Sequence, residues 1–287
     1  MKYEPSELVL NSSGQVYHLG LFPKNIATKI ILVGDQDRVP QISQYFDSIE
    51  HQSQHREFVC HTGLFQQKRI SVISTGIGTD NIDIVINELD ALVNIDLKNR
   101  TDHQNQTSLE LVRIGTCGIL QKDIPVHSWI LSTHAFGLDN VAHFYQIENT
   151  QEENKINTSL NQFLNLPSSI HPYFISANES LVEKLKSENT HQGITVTSSG
   201  FYGPQGRQLR LKNQVADLQL KLGSFRHQEL KVTNFEMESS ALFALGRSLG
   251  HKCATICLGV ANRPNMQFSK GYKAEMEEMI QYVLNRI

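Results

Sequence analysis

The sequence predicts an α/β protein, a largely buried sheet with helices layered against it, folded as one domain over residues 1–287. Three observations carry this. Short apolar runs alternate with segments of helical periodicity, the order that strand–helix units produce. The buried-looking runs end in Gly, Thr or Ser followed by polar residues. No internal repeat, linker or long low-complexity tract divides the chain.

In chain order, residues 30–33 (Ile-Ile-Leu-Val) read as a strand stopped by Gly34-Asp35. Residues 70–74 form a second strand, stopped by Thr75-Gly76-Ile77-Gly78. A helix follows, capped by Thr79 or Asp80, with Ile82, Val85, Ile86, Leu89 and Val93 at helical spacing. Residues 97–108 lack apolar periodicity and read as an exposed insertion. Residues 109–114 are a strand ended by Gly115, 129–131 a short strand, and 150–157 a polar loop. Residues 178–185 are expected to be helical and 194–197 extended. Residues 239–249 form a helix closed by Gly250, 254–260 a strand, and 273–287 a terminal helix.

Composition excludes several function classes. With 287 residues, 39% of them hydrophobic, the chain can bury about three quarters of its unfolded surface. The 26 Lys+Arg against 29 Asp+Glu, a net charge of −3, leave no basic footprint for nucleic acid. No apolar run approaches the roughly 18 residues of a membrane span. The first residues, Met1-Lys2-Tyr3-Glu4-Pro5-Ser6-Glu7, are too polar for a signal peptide, so a soluble cytoplasmic protein is expected. Cys60, Cys117, Cys253 and Cys257 then read as reduced thiols, the last two as small core residues on one strand face. None of the 12 His clusters with them, so no metal site is expected.

Ligands of open α/β sheets bind outside the carboxyl ends of the strands, which is where the polar motifs fall. In Gly34-Asp35-Gln36-Asp37-Arg38 the glycine lets backbone N–H groups approach an anion, and Arg38 can return to it. A tight turn with a surface arginine is the alternative. Thr75 to Gly78 carries half of a dinucleotide fingerprint and reads as a strand-to-helix turn. Arg113 lies within an apolar strand, where a guanidinium needs a bound anion or a carboxylate partner. Thr116 adds a hydroxyl, Gly115 and Gly118 leave room, and Cys117 reads as a packing residue without an adjacent base. In the loop 201–207, Phe201 can cover a flat ring, Gln205 can donate and accept as a nucleobase edge requires, and Arg207 can bond a carbonyl. Glu236 and Glu238 point the same way if extended. They could bind a metal, hold sugar hydroxyls, do acid–base work, or favour a helix N-terminus. Asn262-Arg263 adds a further cation at this edge.

In order and spacing these motifs, with Tyr17-His18-Leu19-Gly20-Leu21, His55-Arg56-Glu57-Phe58 and Met237, resemble the uridine phosphorylases of the nucleoside phosphorylase-I superfamily over nearly the whole chain. The resemblance implies a three-layer α/β/α sandwich around a central mixed, partly barrel-like sheet. It implies phosphorolysis of a pyrimidine nucleoside, uridine and phosphate giving uracil and ribose 1-phosphate, with no cofactor or catalytic metal. Gly34, Arg38, Arg113 and Thr116 look like the phosphate site, joined by Arg56 from a neighbouring subunit. His18, reaching across the same interface, looks like a ribose contact, with Met237, Glu238 and, in support, Glu236. Gly118, Phe201, Gln205, Arg207 and Arg263 look like the base pocket. Arg113, Glu238, Gln205 and Arg207 would carry catalysis, in a homodimer at least, with a hexamer left open.

The chain also departs from the family. The potassium site of some relatives is matched by Glu57 but not by Asn81, which stands where a hydroxyl is expected. The 97–108 insertion would alter subunit packing, and the short region after Arg263 a flap over the pyrimidine. Ala261, where larger aliphatic residues are common, predicts tolerance of 5-substituted pyrimidines. The alternatives are a purine nucleoside phosphorylase, opposed by Gln205 and Arg207, and a nucleoside hydrolase, opposed by the arginines. A nucleoside-binding sensor is the reading outside enzymes.

Overall fold

The computed structural model describes residues 2–287. Its elements run β1 (Lys29–Val33), α1 (Arg38–Ser43), β2 (Ser48–His55), β3 (Phe58–Phe65), β4 (Lys68–Ser74), α2 (Thr79–Asn94), β5 (Ile95–Asp96), β6 (Thr101–Asp102) and β7 (Glu110–Ile119). Then follow β8 (Trp129–Gly137), α3 (Gln151–Leu164), β9 (Tyr173–Ser176), α4 (Glu179–Leu185), β10 (Thr190–Thr197), α5 (Leu218–Ser224) and β11 (Arg226–His227). The chain closes with β12 (Leu230–Glu236), α6 (Ser239–Ser248), β13 (Lys252–Asn262), β14 (Gln267–Phe268) and α7 (Lys273–Leu284).

All but β5 and β6 join one mixed sheet, ordered β11-β12-β10-β8-β13-β7-β1-β4-β3-β2. Strand β12 pairs with β10 on one side and antiparallel with β7 on the other, so β7, β13, β8, β10 and β12 close into a ring. This is the partly barrel-like sheet that the resemblance implied. Period-2 alternation divides the core. Along β1, Ile30 and Leu32 pack with α2 and α6, whereas Ile31 and Val33 pack with α1, α4 and α7. A third cluster, under α3 and α5, lies against the closed part of the sheet. Among the described residues no helix is long and apolar enough to cross a membrane.

Several boundaries differ from the sequence expectation. Residues 150–157 are not a loop but the start of α3. Thr150 caps it by accepting from Glu153 N, and the Glu153 carboxylate returns to Thr150 N. Glu153, Ile156, Leu160 and Leu164 form its buried stripe, with the polar residues facing outward. Strand β7 does not end at Gly115 but continues to Ile119. Glycine is needed there because a Cβ on Gly115 would stand 2.0 Å from Arg113 Nη1 and 2.9 Å from Cys257 Sγ. Residues 97–108 are exposed over 102–106, but Ile95–Asp96 pairs with Thr101–Asp102 and Leu97 is buried. All four cysteines are free and buried, although Cys253 and Cys257 pack in different clusters.

Glu153 supplies a pH-dependent stabilisation. Burial pushes its carboxyl up, but Arg247 and the bonds from Thr150 and Ser176 overcome this and draw it to about 2. The folded state thus holds the proton less tightly than the unfolded chain, so the stabilisation is complete above the ordinary value of 4.5 and is lost as pH falls toward 2. Denaturant midpoints of wild type and Glu153→Gln should differ most at neutral pH and converge toward pH 2. A constant difference would remove Glu153 from the acid response.

Candidate active site

The carboxyl ends of β1, β4, β7, β12 and β13 open into one cleft of about 940 Å³. The loop after β10 and the β14 hairpin complete it. It brings together Gly34, Arg38, Arg113, Thr116, Gly118, Phe201, Gln205, Arg207, Glu236, Met237 and Glu238.

Arg113 projects from the middle of β7 and is only 5% exposed. Its Nη2 donates to Glu238 Oε2, and its Nη1 lies 3.5 Å from both Glu236 Oε2 and Cys257 Sγ. Among the described residues its Nε has no partner. Burial works against the guanidinium charge, and Glu238 and Glu236 more than restore it, so the pKa is raised. Sequence reasoning offered an anion or a carboxylate as the partner; the structure pairs it with carboxylates. The two acids have different settings. Glu236 accepts from Thr197 Oγ1 (2.5 Å), Glu238 N (3.0 Å) and Ser239 N (3.0 Å), fixing the chain where β12 turns into α6. Glu238, the residue before α6, accepts from Gly78 N at 2.8 Å. Burial pushes its carboxyl up, Arg113 pulls it back, and Glu236 adds to the rise.

Arg38 opens α1 with its Nη1 3.3 Å from Ile114 O. Burial and then the Arg113 charge lower its pKa. Thr116 lines the same end. At the other end Arg207 lies 3.7 Å over the Phe201 ring and donates to Phe201 O (2.6 Å) and Gln205 Oε1 (2.5 Å). Gln205 is 3% exposed, with its Nε2 3.4 Å from Glu236 O. Burial and the nearby Arg263 bring the Arg207 pKa down to about 10.

One expected residue lies beside the cleft, and the two assigned to a neighbouring subunit's site lie away from it. Arg263 lies along Gly118, but its side chain lines an adjoining cavity rather than the cleft. His18 and Arg56 do not line the cleft of their own chain. His18 is bound to Glu88, and Arg56 stands exposed in the turn between β2 and β3, at φ 55° and 5.5 Å over the Tyr17 ring. Sequence reasoning missed Phe268 and Tyr272 as lining residues. Neither sits in a motif; the β14 hairpin brings Phe268 back against Ala261, and Tyr272 arrives just before α7. Glu57, Asn81 and Ala261 also line the cleft. Among the described residues no three His, Cys, Asp or Glu side chains gather as a metal site.

The chain belongs to the phosphorylase superfamily, which residues 28–284 match. It is 30% identical over 281 residues to a uridine phosphorylase of Thermococcus kodakarensis, covering 96% of this chain and 87% of that one. The uridine phosphorylase of Escherichia coli is 29% identical, with 89% of each chain covered. The structure of a Trypanosoma brucei nucleoside phosphorylase, described as showing uridine phosphorylase activity, superposes with a TM-score of 0.90 at 28% identity, covering 98% of this chain and 99% of that one.

Proposed function

We propose that this enzyme is a uridine phosphorylase, converting uridine and phosphate to uracil and ribose 1-phosphate. The observation that carries this is that one cleft gathers three chemistries. Arg38 stands near Arg113, Glu238 is bonded to Arg113, and Phe201, Gln205 and Arg207 form a cluster of their own.

These groups match the three parts of the substrates: phosphate, sugar and base. A phosphate oxygen attacks C1′, the C1′–N1 bond breaks, and its electron pair leaves with the base, which then takes a proton from water. Arg38, Arg113 and Thr116 hold the anion in line with C1′, and its charge stabilises the oxocarbenium-like sugar. Glu238 accepts from sugar hydroxyls over Met237, and Glu236 holds the turn that aims it. Gln205 and Arg207 bond the uracil edge and take up its developing negative charge; Gly118 leaves room for the ring and Arg263 adds positive potential from behind. The reaction needs no resident metal or redox cofactor. A potassium ion beside Glu57 is no part of this reading.

Asn262 separates this reading from a purine nucleoside phosphorylase, which uses an acid after the last strand. Here Asn262 is fully buried and donates to Gln121 O and Ile124 O at 2.9 and 2.8 Å. The place of His18 and Arg56 outside their own cleft supports a dimer in which each chain supplies them to its partner.

The test is base release from uridine, thymidine and inosine with and without phosphate. Uracil release that requires phosphate is expected, as is turnover of thymidine within about tenfold of uridine, because Ala261 leaves space beside the ring. Phosphate-independent release would establish a hydrolase, inosine preference a purine enzyme, and binding without turnover a sensor.

A further inference from the structure

Outside the cleft, one carboxylate does an unusual amount of work on one histidine. Glu88, on α2, accepts the backbone N–H of His18 at 2.9 Å through Oε1 and that of Leu19 at 2.8 Å through Oε2. The same Oε1 lies 2.6 Å from His18 Nδ1. From the other side His55 Nδ1 lies 2.7 Å from the carbonyl oxygen of His18. Tyr17 stands edge-on to the imidazole, with ring centroids 5.0 Å apart. The residue is thus held by its N–H, its carbonyl and one ring nitrogen, yet its side chain is 33% exposed and, among the described residues, its Nε2 has no hydrogen bond.

We infer that Glu88 is a positioning residue that sets the tautomer and direction of His18 for use in a partner's cleft. This rests on the proposal above that His18 acts across a dimer. A carboxylate accepts only, so a neutral imidazole beside it must carry its proton on Nδ1. Nε2 is then left as an acceptor facing outward, the group that a sugar hydroxyl can donate to. A histidine serving only to fold its loop would need the two backbone bonds, not a fixed tautomer with a free nitrogen at the surface. Holding the ring in advance also removes the ordering cost that a loose surface histidine would meet on binding. Glu88 therefore touches no substrate and acts through His18.

Glu88→Gln is the informative change. Its carbonyl can still take a backbone N–H, but its NH₂ can face Nδ1, which turns that nitrogen into an acceptor and moves the ring proton to Nε2. The expected result is a roughly tenfold to hundredfold fall in kcat/KM for uridine, carried mainly by the uridine KM, with the phosphate KM unchanged. Glu88→Gln placed on His18→Ala should cost little more, because the residue it positions is already gone. Equal losses on both backgrounds, or wild-type kinetics for Glu88→Gln, would overturn the inference. In the unaltered protein, ¹⁵N imidazole shifts assigned by difference from His18→Ala should report Nδ1 protonated and Nε2 free; the opposite tautomer overturns it even if a variant folds poorly. Phosphorolysis unaffected by His18→Ala would remove the premise about His18 while leaving the proposed reaction standing. Absence of phosphorolysis in the wild type would remove the reaction itself.

Discussion

Arg113→Ala is expected to lower kcat/KM for uridine phosphorolysis by about three orders of magnitude and to destabilise the protein at the same time. The two losses have separate causes. Catalysis loses a buried guanidinium that would hold phosphate against C1′, at a site where preorganised charge acts with little screening by water. Stability falls because Glu238 and Glu236, each 3% exposed, are left facing one another without the cation between them. Removing one partner of a buried ion pair costs about 3–5 kcal/mol. Arg113→Lys separates the effects. A lysine restores a positive charge near the acids and should recover most of the thermal midpoint, yet it cannot reach Glu238 and a phosphate oxygen with the geometry of a planar fork. Activity should stay at least tenfold below wild type. Differential scanning calorimetry with initial rates at saturating uridine checks both; full activity in Arg113→Ala would remove Arg113 from the phosphate site.

Glu238→Gln is expected to move binding and turnover in opposite directions. Glu238 accepts from Arg113 Nη2, a donor that phosphate would share in the proposed reaction. On that reading the carboxylate competes with phosphate for the guanidinium. Neutralising residue 238 removes that competitor, so phosphate should bind the free protein several-fold more tightly by calorimetry. Turnover should fall about a hundredfold or more, because the amide is a weaker acceptor for sugar hydroxyls. Weaker phosphate binding in this variant would show that the carboxylate helps to shape the anion site rather than competing for it.

Much of this site was legible in the sequence because its residues break local rules. An arginine inside Leu-Val-Arg-Ile, and two acids two apart before a helix, are costly unless they serve one another or a ligand. Strands β1 and β4 were legible because apolar runs ended at glycine or threonine. The polar stretch 48–55 was not, since this edge strand has no buried face to print an alternation. Helix α3 was missed although its capping box is written in Thr150 and Glu153; only the stripe continuing to Leu164 distinguishes it from a loop. The extension of β7 beyond Gly115 was hidden because the close approach of Cys257 and the Arg113 side chain is tertiary. Phe268 and Tyr272 reach the cleft by folding back from the end of the chain. Arg38, Arg113 and Gln205 line the cleft, whereas Arg263 lines the adjoining cavity.

The closed ring of strands separates what is fixed in this protein from what is free to vary. β7 bears Arg113 and Thr116, β12 bears Glu236, and the two are joined by direct pairing at Gly118–Phe235 and Ile119–Asn234. Arg113, Thr116 and Glu236 are therefore carried by two strands that are hydrogen-bonded directly to each other. The residues that would meet the base in the proposed reaction, Phe201, Gln205 and Arg207, hang from a loop outside those strands, and Phe268 lies on the two-residue strand β14. In the proposed reaction a different base would be met by refitting these loops, with the pairing of the strands that carry Arg113 and Glu236 left in place.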